Sequence, residues 1–265
     1  MQANNDNEID AFRWVGSESM FLDVPSVISC GRVLVGRYGG RLAAGANKNE
    51  DGALVWSAAD GSWEFALIID AHYSAESAEL LLQTVQDERH DLLEHLRRPN
   101  DEVFALVHEH LVSVLRSPEF RARCREVEGE ASCIFCVRKG SFLWWMSVGD
   151  CVVYLLHPEL ARLGQVALNQ RSYYEWVGRR NTFDLEVPCY TSGVKELQPG
   201  RNLVVMLTDG LLECGKRPFE DPLYLYKTFT AGSDLALNVQ NALKRVHQER
   251  GGDSSTVIAW QVQVS

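Results

Sequence analysis

Four aspartates stand beside small residues in separate segments and next to apolar runs: Asp51 in Asn49-Glu50-Asp51-Gly52, Asp70 in Ile69-Asp70-Ala71-His72, Asp209 in Leu207-Thr208-Asp209-Gly210 and Asp253 in Gly252-Asp253-Ser254. A carboxylate at the end of a hydrophobic strand is costly unless something compensates it, because burial penalises its charge. Several such ends brought together call for a cation. Hard divalent ions such as Mg²⁺ and Mn²⁺ take oxygen ligands and keep several waters, so a few carboxylates suffice to hold them. Other chemistries find no footing: the sequence has no Gly-x-x-x-x-Gly-Lys-Ser/Thr loop, no Gly-x-Gly-x-x-Gly after a strand, no His-Glu-x-x-His and no Gly-x-Ser-x-Gly elbow.

The elements that must carry these residues follow from periodicity. A strand-like run begins at Val33, and two more strands follow at about 53–58 and 63–69, joined by an Ala59-Asp60-Gly61-Ser62 hairpin turn. Asp70 therefore stands at the mouth of a buried strand. From Ser74 to Leu96 apolar residues recur every three or four positions, and Pro99-Asn100-Asp101 ends that helix and caps a second one running to about Arg125. Period two returns at 131–138, 141–148 and 151–156. Phe142, Trp144, Met146 and Val148 fall on one face of the middle run and Leu143 and Trp145 on the other, which predicts a central strand buried on both sides. Gly149-Asp150 then breaks the run and sets a further carboxylate at a strand end. Residues 163–198, with Tyr173-Tyr174-Glu175-Trp176 and Arg179-Arg180, lack periodicity and read as an inserted flap. A strand at 203–207, a loop at 218–222, a helix at 235–248 and a strand at 256–264 complete the order, which implies antiparallel sheets with helices outside.

Composition narrows the partners. With 265 residues, 46% hydrophobic and 23% charged, the chain can fill a sizeable core. A formal charge of -10 disfavours nucleic acid or an anionic membrane as the main partner and suits a protein that concentrates cations. Seven scattered cysteines read as reduced thiols, and Cys133-x-x-Cys136 as a pair of buried small hydrophobes. His90, His95, His108 and His110 read as solvated helix residues, since His108 and His110 are two apart and cannot share a face. The polar start, Met1 to Asp10, has no apolar leader core, and no run approaches the roughly 20 apolar residues of a membrane helix. A cytoplasmic protein is expected.

Taken in order, these motifs resemble the metal-dependent serine/threonine protein phosphatases of type 2C. Asn49-Glu50-Asp51 is similar to the family's first acidic motif, Asp70-Ala71-His72 to its Asp-Gly-His, and Val148-Gly149-Asp150 to its Gly-Asp-Ser turn. Thr208-Asp209-Gly210 is similar to its Ser-Asp-Gly, and Asp253-Ser254 to its closing Asp-Asn. Each motif alone is weak, and the signal lies in five in order at suitable strand ends. The resemblance runs from about residue 33 onward. It implies an α+β fold, a four-layer α-β-β-α sandwich whose two central antiparallel sheets are flanked by antiparallel helix pairs. The expected division is an N-terminal extension over 1–28 and a phosphatase-like domain over 29–265, with the flap at about 163–198.

The resemblance also implies a two-ion Mg or Mn centre. Asp51 and Asp70 would share the ions, Asp209 and Asp253 would complete one of them, the Ala71 carbonyl would add a backbone oxygen, and Glu50 would stand behind. Asp150, with Asp209, matches the position that holds a third, weaker ion in bacterial members. Two ions about 3.5–4 Å apart lower the pKa of a shared water and neutralise phosphate charge, so hydroxide can attack phosphorus in line. His72 has the pKa range and reach to protonate the leaving alkoxide. The expected activity is hydrolysis of phosphoserine or phosphothreonine on a protein substrate, by a monomer. The alternatives are a non-catalytic regulatory or binding module, or a phosphatase for a small phosphorylated metabolite.

Three positions depart from the family pattern. Ala71 stands for glycine and demands ordinary backbone angles. Ser254 stands for asparagine, and Ala46 stands where the family carries a phosphate-gripping arginine. Lys48 shares the parity of Ala46 along an extended strand and is the expected phosphate contact, although an ammonium is a point charge rather than a fork. Arg179 and Arg180 are further candidates.

Overall fold

Residues 9–265 are described by a computed structural model, and they form two antiparallel sheets built from twelve strands. In chain order the strands are β1 (Ile9–Val15), β2 (Ser26–Cys30), β3 (Val33–Tyr38), β4 (Gly52–Ala58), β5 (Trp63–His72), β6 (Glu130–Lys139), β7 (Phe142–Val148), β8 (Val152–Leu156), β9 (Val177–Gly178), β10 (Thr191–Glu196), β11 (Gly200–Leu207) and β12 (Ser255–Val264). One sheet runs β1-β4-β5-β6-β7-β10, with β9 paired to β6, and the other runs β2-β3-β12-β11-β8.

The central strands are apolar on both faces, and the two faces meet different partners. Ala53, Val55, Ala66, Ile68, Ile134 and Cys136 point at the second sheet, where Val35, Val205 and Trp260 belong to the same core. Their neighbours Leu54, Phe65, Leu67, Phe135 and Met146 point outward. That outer face is covered by α1 (Glu76–Asp87), α2 (Arg89–Arg97), α3 (Asn100–Arg116) and α4 (Pro118–Glu126). A short α5 (Pro158–Arg162) follows β8. The second sheet is covered by α6 (Asp209–Glu213), α7 (Pro222–Phe229) and α8 (Leu235–Gln248), which bury Leu211, Leu225, Phe229, Val239 and Leu243. The result is the four-layer α-β-β-α sandwich expected from the motifs.

Several local expectations change. The stretch assigned to an N-terminal extension supplies β1, an edge strand paired with β4, and the first residues of β2, which pairs with β3. Residues 1–8, most of the polar start read for a leader, lie outside the described residues. The helix expected from 74 to 96 is broken at Glu88, whose N–H turns to the Thr84 and Gln86 carbonyls. The next one is broken at Ser117-Pro118, where the Ser117 hydroxyl accepts from Phe120 N and proline takes the first helical position. Strand β7 is buried on both faces as expected, yet it lies second from the edge, because β10 of the expected flap pairs along it.

The histidines are not simply solvated. His110 lies 2.9 Å from Glu88 and meets the His95 ring edge-on, while His108 packs edge-on against Trp144. Cys133 and Cys136 point to opposite faces of β6, in separate cores. Burial pushes the Cys133 thiol up to about 12, consistent with a packing role. Among the described residues, no helix is long and apolar enough to cross a membrane.

Candidate metal centre

Antiparallel register brings the acidic residues to one end of the sandwich. Gly52 of β4 pairs with Ile69 of β5, so Asp51 and Asp70 occupy neighbouring strand ends. From the other sheet, Asp209 opens α6 directly after β11, and Asp253 precedes β12, the partner of β11. Two glycines make the close approach possible. A Cβ on Gly210 would lie 1.8 Å from the Ser254 carbonyl oxygen, so only glycine lets α6 begin against the 253–254 turn. Gly149, at φ +87°, would place a Cβ 2.3 Å from the Ser132 Cβ, and it swings Asp150 in beside Asp70.

Carboxylate oxygens of Asp70, Asp150 and Asp209 all lie within 4.8 Å of one another. Asp70 and Asp150 are each only 4% exposed, and Asp70 Oδ2 and Asp150 Oδ1 are buried with no hydrogen-bond partner. Desolvation raises the Asp70 carboxyl well above the ordinary range, and the charges of Asp209, Asp51, Asp253 and Asp150 raise it further. Burial, then the charge of Asp150, pushes Asp209 up to about 6. Oxygen-only donors, like-charged and partly orphaned, fit a hard divalent cation. Metal-free, the same groups pay for their proximity in proton affinity.

Asp51 is fully buried beside this trio but outside it, and it is held differently. Its Oδ2 accepts from the Thr256 and Thr208 hydroxyls at 2.6 and 3.1 Å, and its Oδ1 accepts from the Ser254 hydroxyl at 2.9 Å. Desolvation pushes it up to about 7 against the opposing pull of these three bonds. The serine that replaces the family's asparagine thus grips the first aspartate directly. Asp253 is exposed, with its Oδ1 accepting its own neighbour's N–H at 2.8 Å, yet its charge is felt at both Asp51 and Asp70.

The flap contributes a residue that sequence reasoning missed. Arg171 Nη2 lies 3.4 Å from Asp150 Oδ2, 3.2 Å from Asp209 Oδ2 and 2.7 Å from Glu213 Oε1. Burial works against its charge, but Glu213, Asp209 and Asp150 outweigh that and hold its pKa above the ordinary value. Trp176, also from the flap, brings its ring to 5.3 Å from that of His72.

The remaining candidates divide. His72 Nδ1 lies 3.5 Å from Asp70 Oδ1, so the imidazole is at the cluster. Ala71 continues the β5–β6 ladder opposite Ala131 with no left-handed angle, as its side chain requires. Lys48 is not free to reach alone: its Nζ lies 2.7 Å from Glu50 Oε2 and donates to the Tyr73 carbonyl at 3.1 Å. Glu50 is therefore the counter-charge of Lys48. Ala46 is buried, and Arg179 and Arg180 are exposed on the flap.

No family model and no curated protein matches this sequence. Solved structures do match by shape. A bacterial serine phosphatase superposes at TM-score 0.68 and 10% identity, over 89% of this chain and all of that one. PppA, a regulatory component of the type VI secretion system of Pseudomonas aeruginosa, gives 0.60 and 16% over 89% and 100%. The catalytic domain of the serine/threonine phosphatase PstP, in complex with two manganese ions, gives 0.51 and 14% over 96% and 98%. This chain has the type 2C phosphatase fold. At these identities the likeness establishes the type 2C architecture.

Proposed function

We propose that the protein is a divalent-metal-dependent phosphomonoesterase that hydrolyses phosphoserine or phosphothreonine on proteins. The observation that carries this reading is the buried Asp70–Asp150–Asp209 cluster with two orphaned carboxylate oxygens, at one end of a type 2C sandwich. Arg171 offsets only part of this charge, and the like-charged carboxylates left over cost stability that a bound divalent cation would relieve.

In this reading Asp70, Asp209 and Asp253 hold Mg²⁺ or Mn²⁺, with Asp51 and the Ala71 carbonyl alongside, and the manganese-bound relative supports a count of two. Bound divalent ions supply an activated water near neutral pH and offset phosphate charge. The hydroxyls of Thr208, Ser254 and Thr256 hold Asp51 in one rotamer, so the acidic wall needs no rearrangement to bind. Asp70 orients the His72 ring through Nδ1, which leaves Nε2 on the far side to give a proton to the departing serine or threonine oxygen. Lys48 stands next to His72 through its bond to the Tyr73 carbonyl and offers the incoming phosphate a positive charge at the rim.

A second reading has a specific observation behind it. Ala46 is buried and Lys48 is engaged by Glu50, so the phosphate grip is weaker than the family pattern, which favours a binding module that holds ions without turnover. Hydrolysis of an aryl phosphate with added Mn²⁺, abolished in Asp209→Asn, is the expected result. Manganese binding without hydrolysis of any phosphoester would decide for the module. A panel of phosphopeptides against small phosphorylated metabolites then identifies the substrate class, with phosphopeptides expected to be preferred.

A further inference from the structure

We propose that Arg171 is a resident cation of the acidic centre: its guanidinium takes the place of a further divalent ion at the Asp150–Asp209 end, so the protein binds two ions where it would otherwise bind three. The inference rests on the metal-dependent reading above and concerns what this chain has done with one of its positions.

The contacts of Arg171 are those of a cation in a cup. A single nitrogen, Nη2, faces carboxylate oxygens of Asp150, Asp209 and Glu213 at 3.4, 3.2 and 2.7 Å. One NH₂ group has two hydrogens, so it cannot form three good hydrogen bonds, and its hold on the longer two is mainly that of charge on charge. A planar fork gripping one carboxylate would engage two nitrogens on two oxygens, which is not the arrangement here. The other donors are not committed to the cluster: Nη1 is 4.0 Å from Glu220, and Nε is buried without a hydrogen-bond partner. Arg171 is only 15% exposed, less than either glutamate it meets.

The placement is built rather than incidental. Ser172 N donates to the Gly149 carbonyl at 3.0 Å, which fastens the flap to the very turn that presents Asp150. Two residues before Arg171, the buried Asn169 amide takes the Val153 N–H at 2.9 Å and donates to the Cys151 carbonyl and the Ser147 hydroxyl. Two residues after it, the Tyr173 ring lies 5.3 Å from the guanidinium carbon. The side chain is thus held before any ligand arrives, and little conformational entropy remains to be lost. Filling is partial, since one guanidinium cannot neutralise Asp51, Asp70, Asp150, Asp209 and Asp253. Asp70 Oδ2 and Asp150 Oδ1 are left buried and without hydrogen-bond partners.

Mn²⁺ stoichiometry measured by calorimetry and by the electron paramagnetic resonance of free Mn²⁺ tests this on the full chain. Wild type is expected to bind two ions, Arg171→Met three, with the added ion weaker, and Arg171→Lys two, because the ammonium restores the charge. Asp150→Asn with Arg171 intact should still bind two, since the guanidinium, not an ion, occupies that end. Three ions in wild type, two in a folded Arg171→Met, or one in Asp150→Asn would each overturn the assignment. If Arg171→Met does not fold, the Asp150→Asn count still decides. No Mn²⁺ uptake by wild type is a different result, and it would remove the metal-dependent reading itself. If Arg171 instead grips substrate phosphate, Arg171→Met will weaken inhibition by inorganic phosphate and leave the ion count unchanged, which also overturns it.

Discussion

The Thr256 hydroxyl donates to Asp51 Oδ2 at 2.6 Å and thereby joins β12 of one sheet to the entrance of β4 in the other. Both residues are fully buried, and the Thr256 N–H also donates to the Thr208 hydroxyl oxygen at 2.8 Å. A short hydroxyl-to-carboxylate bond in a dry setting is stronger than a neutral one. Replacing Thr256 by valine keeps the shape and leaves a buried carboxylate oxygen short of a donor. Urea denaturation of Thr256→Val should show a loss of about 1–3 kcal/mol, with the m-value unchanged. A loss within experimental error would mean that the clamp contributes nothing.

The metal-free protein should lose stability as pH rises. Asp51 and Asp209 are raised from the ordinary 3.8 to about 7 and about 6, and Asp70 is raised too, with burial as the first cause in each case. A folded-state pKa above the unfolded value gives a contribution that is complete below about 4 and is lost as pH climbs through 6 to 7. Without metal, Tm should therefore fall between pH 5 and pH 8, and Asp70→Asn, which removes a charge crowded by Asp209, Asp51, Asp253 and Asp150, should flatten that fall and raise Tm at pH 8. Saturating Mn²⁺ should restore wild type most at pH 8 and the Asp70→Asn variant little. A Tm profile that Asp70→Asn leaves unchanged would contradict this.

His72 should matter in proportion to how badly the leaving group needs a proton. Serine and threonine alkoxides need one, whereas a nitrophenolate does not. His72→Gln is expected to lower kcat on a phosphopeptide by about 10²-fold or more and on p-nitrophenyl phosphate far less. Equal losses on both substrates would point to a role in the Asp70 environment instead.

Lys48→Ala should raise KM for a phosphopeptide about tenfold with kcat nearly unchanged, as expected when a contact is equally present in ground and transition states. If Lys48 serves only to neutralise Glu50, KM will stay fixed and the loss will appear in Tm.

What could be read in the chain was whatever repeats locally. Asp70 and Asp209 each follow a long apolar run, so their seats at strand ends were plain, and the period of α8 and the two-faced pattern of β7 were equally so. The unread parts depend on contacts that no window spans. Arg171 sits in an aperiodic segment 21, 38 and 42 residues from the acids it meets. The three hydroxyls on Asp51 come from positions 157, 203 and 205 residues away and resemble any polar residue beside a strand. The break before α4 went unread, although Ser117-Pro118 carries a local signal for it, a capping serine followed by a helix-starting proline. The extent of the flap was not legible, because β10 is exposed along most of its length and takes its strand character from β7.

Strand β12 lies between β3 and β11, partners separated by most of the polypeptide, and it carries the hydroxyl that secures Asp51. As the chain emerges from the ribosome, this sheet stays split until the β12 residues are available, since pairing across so large a separation comes late. A nascent polypeptide therefore has its early aspartates but no closed acidic pocket. In the proposed reading, ion capture therefore reports that β12 has paired with both of its neighbours, and the phosphatase chemistry waits for that closure.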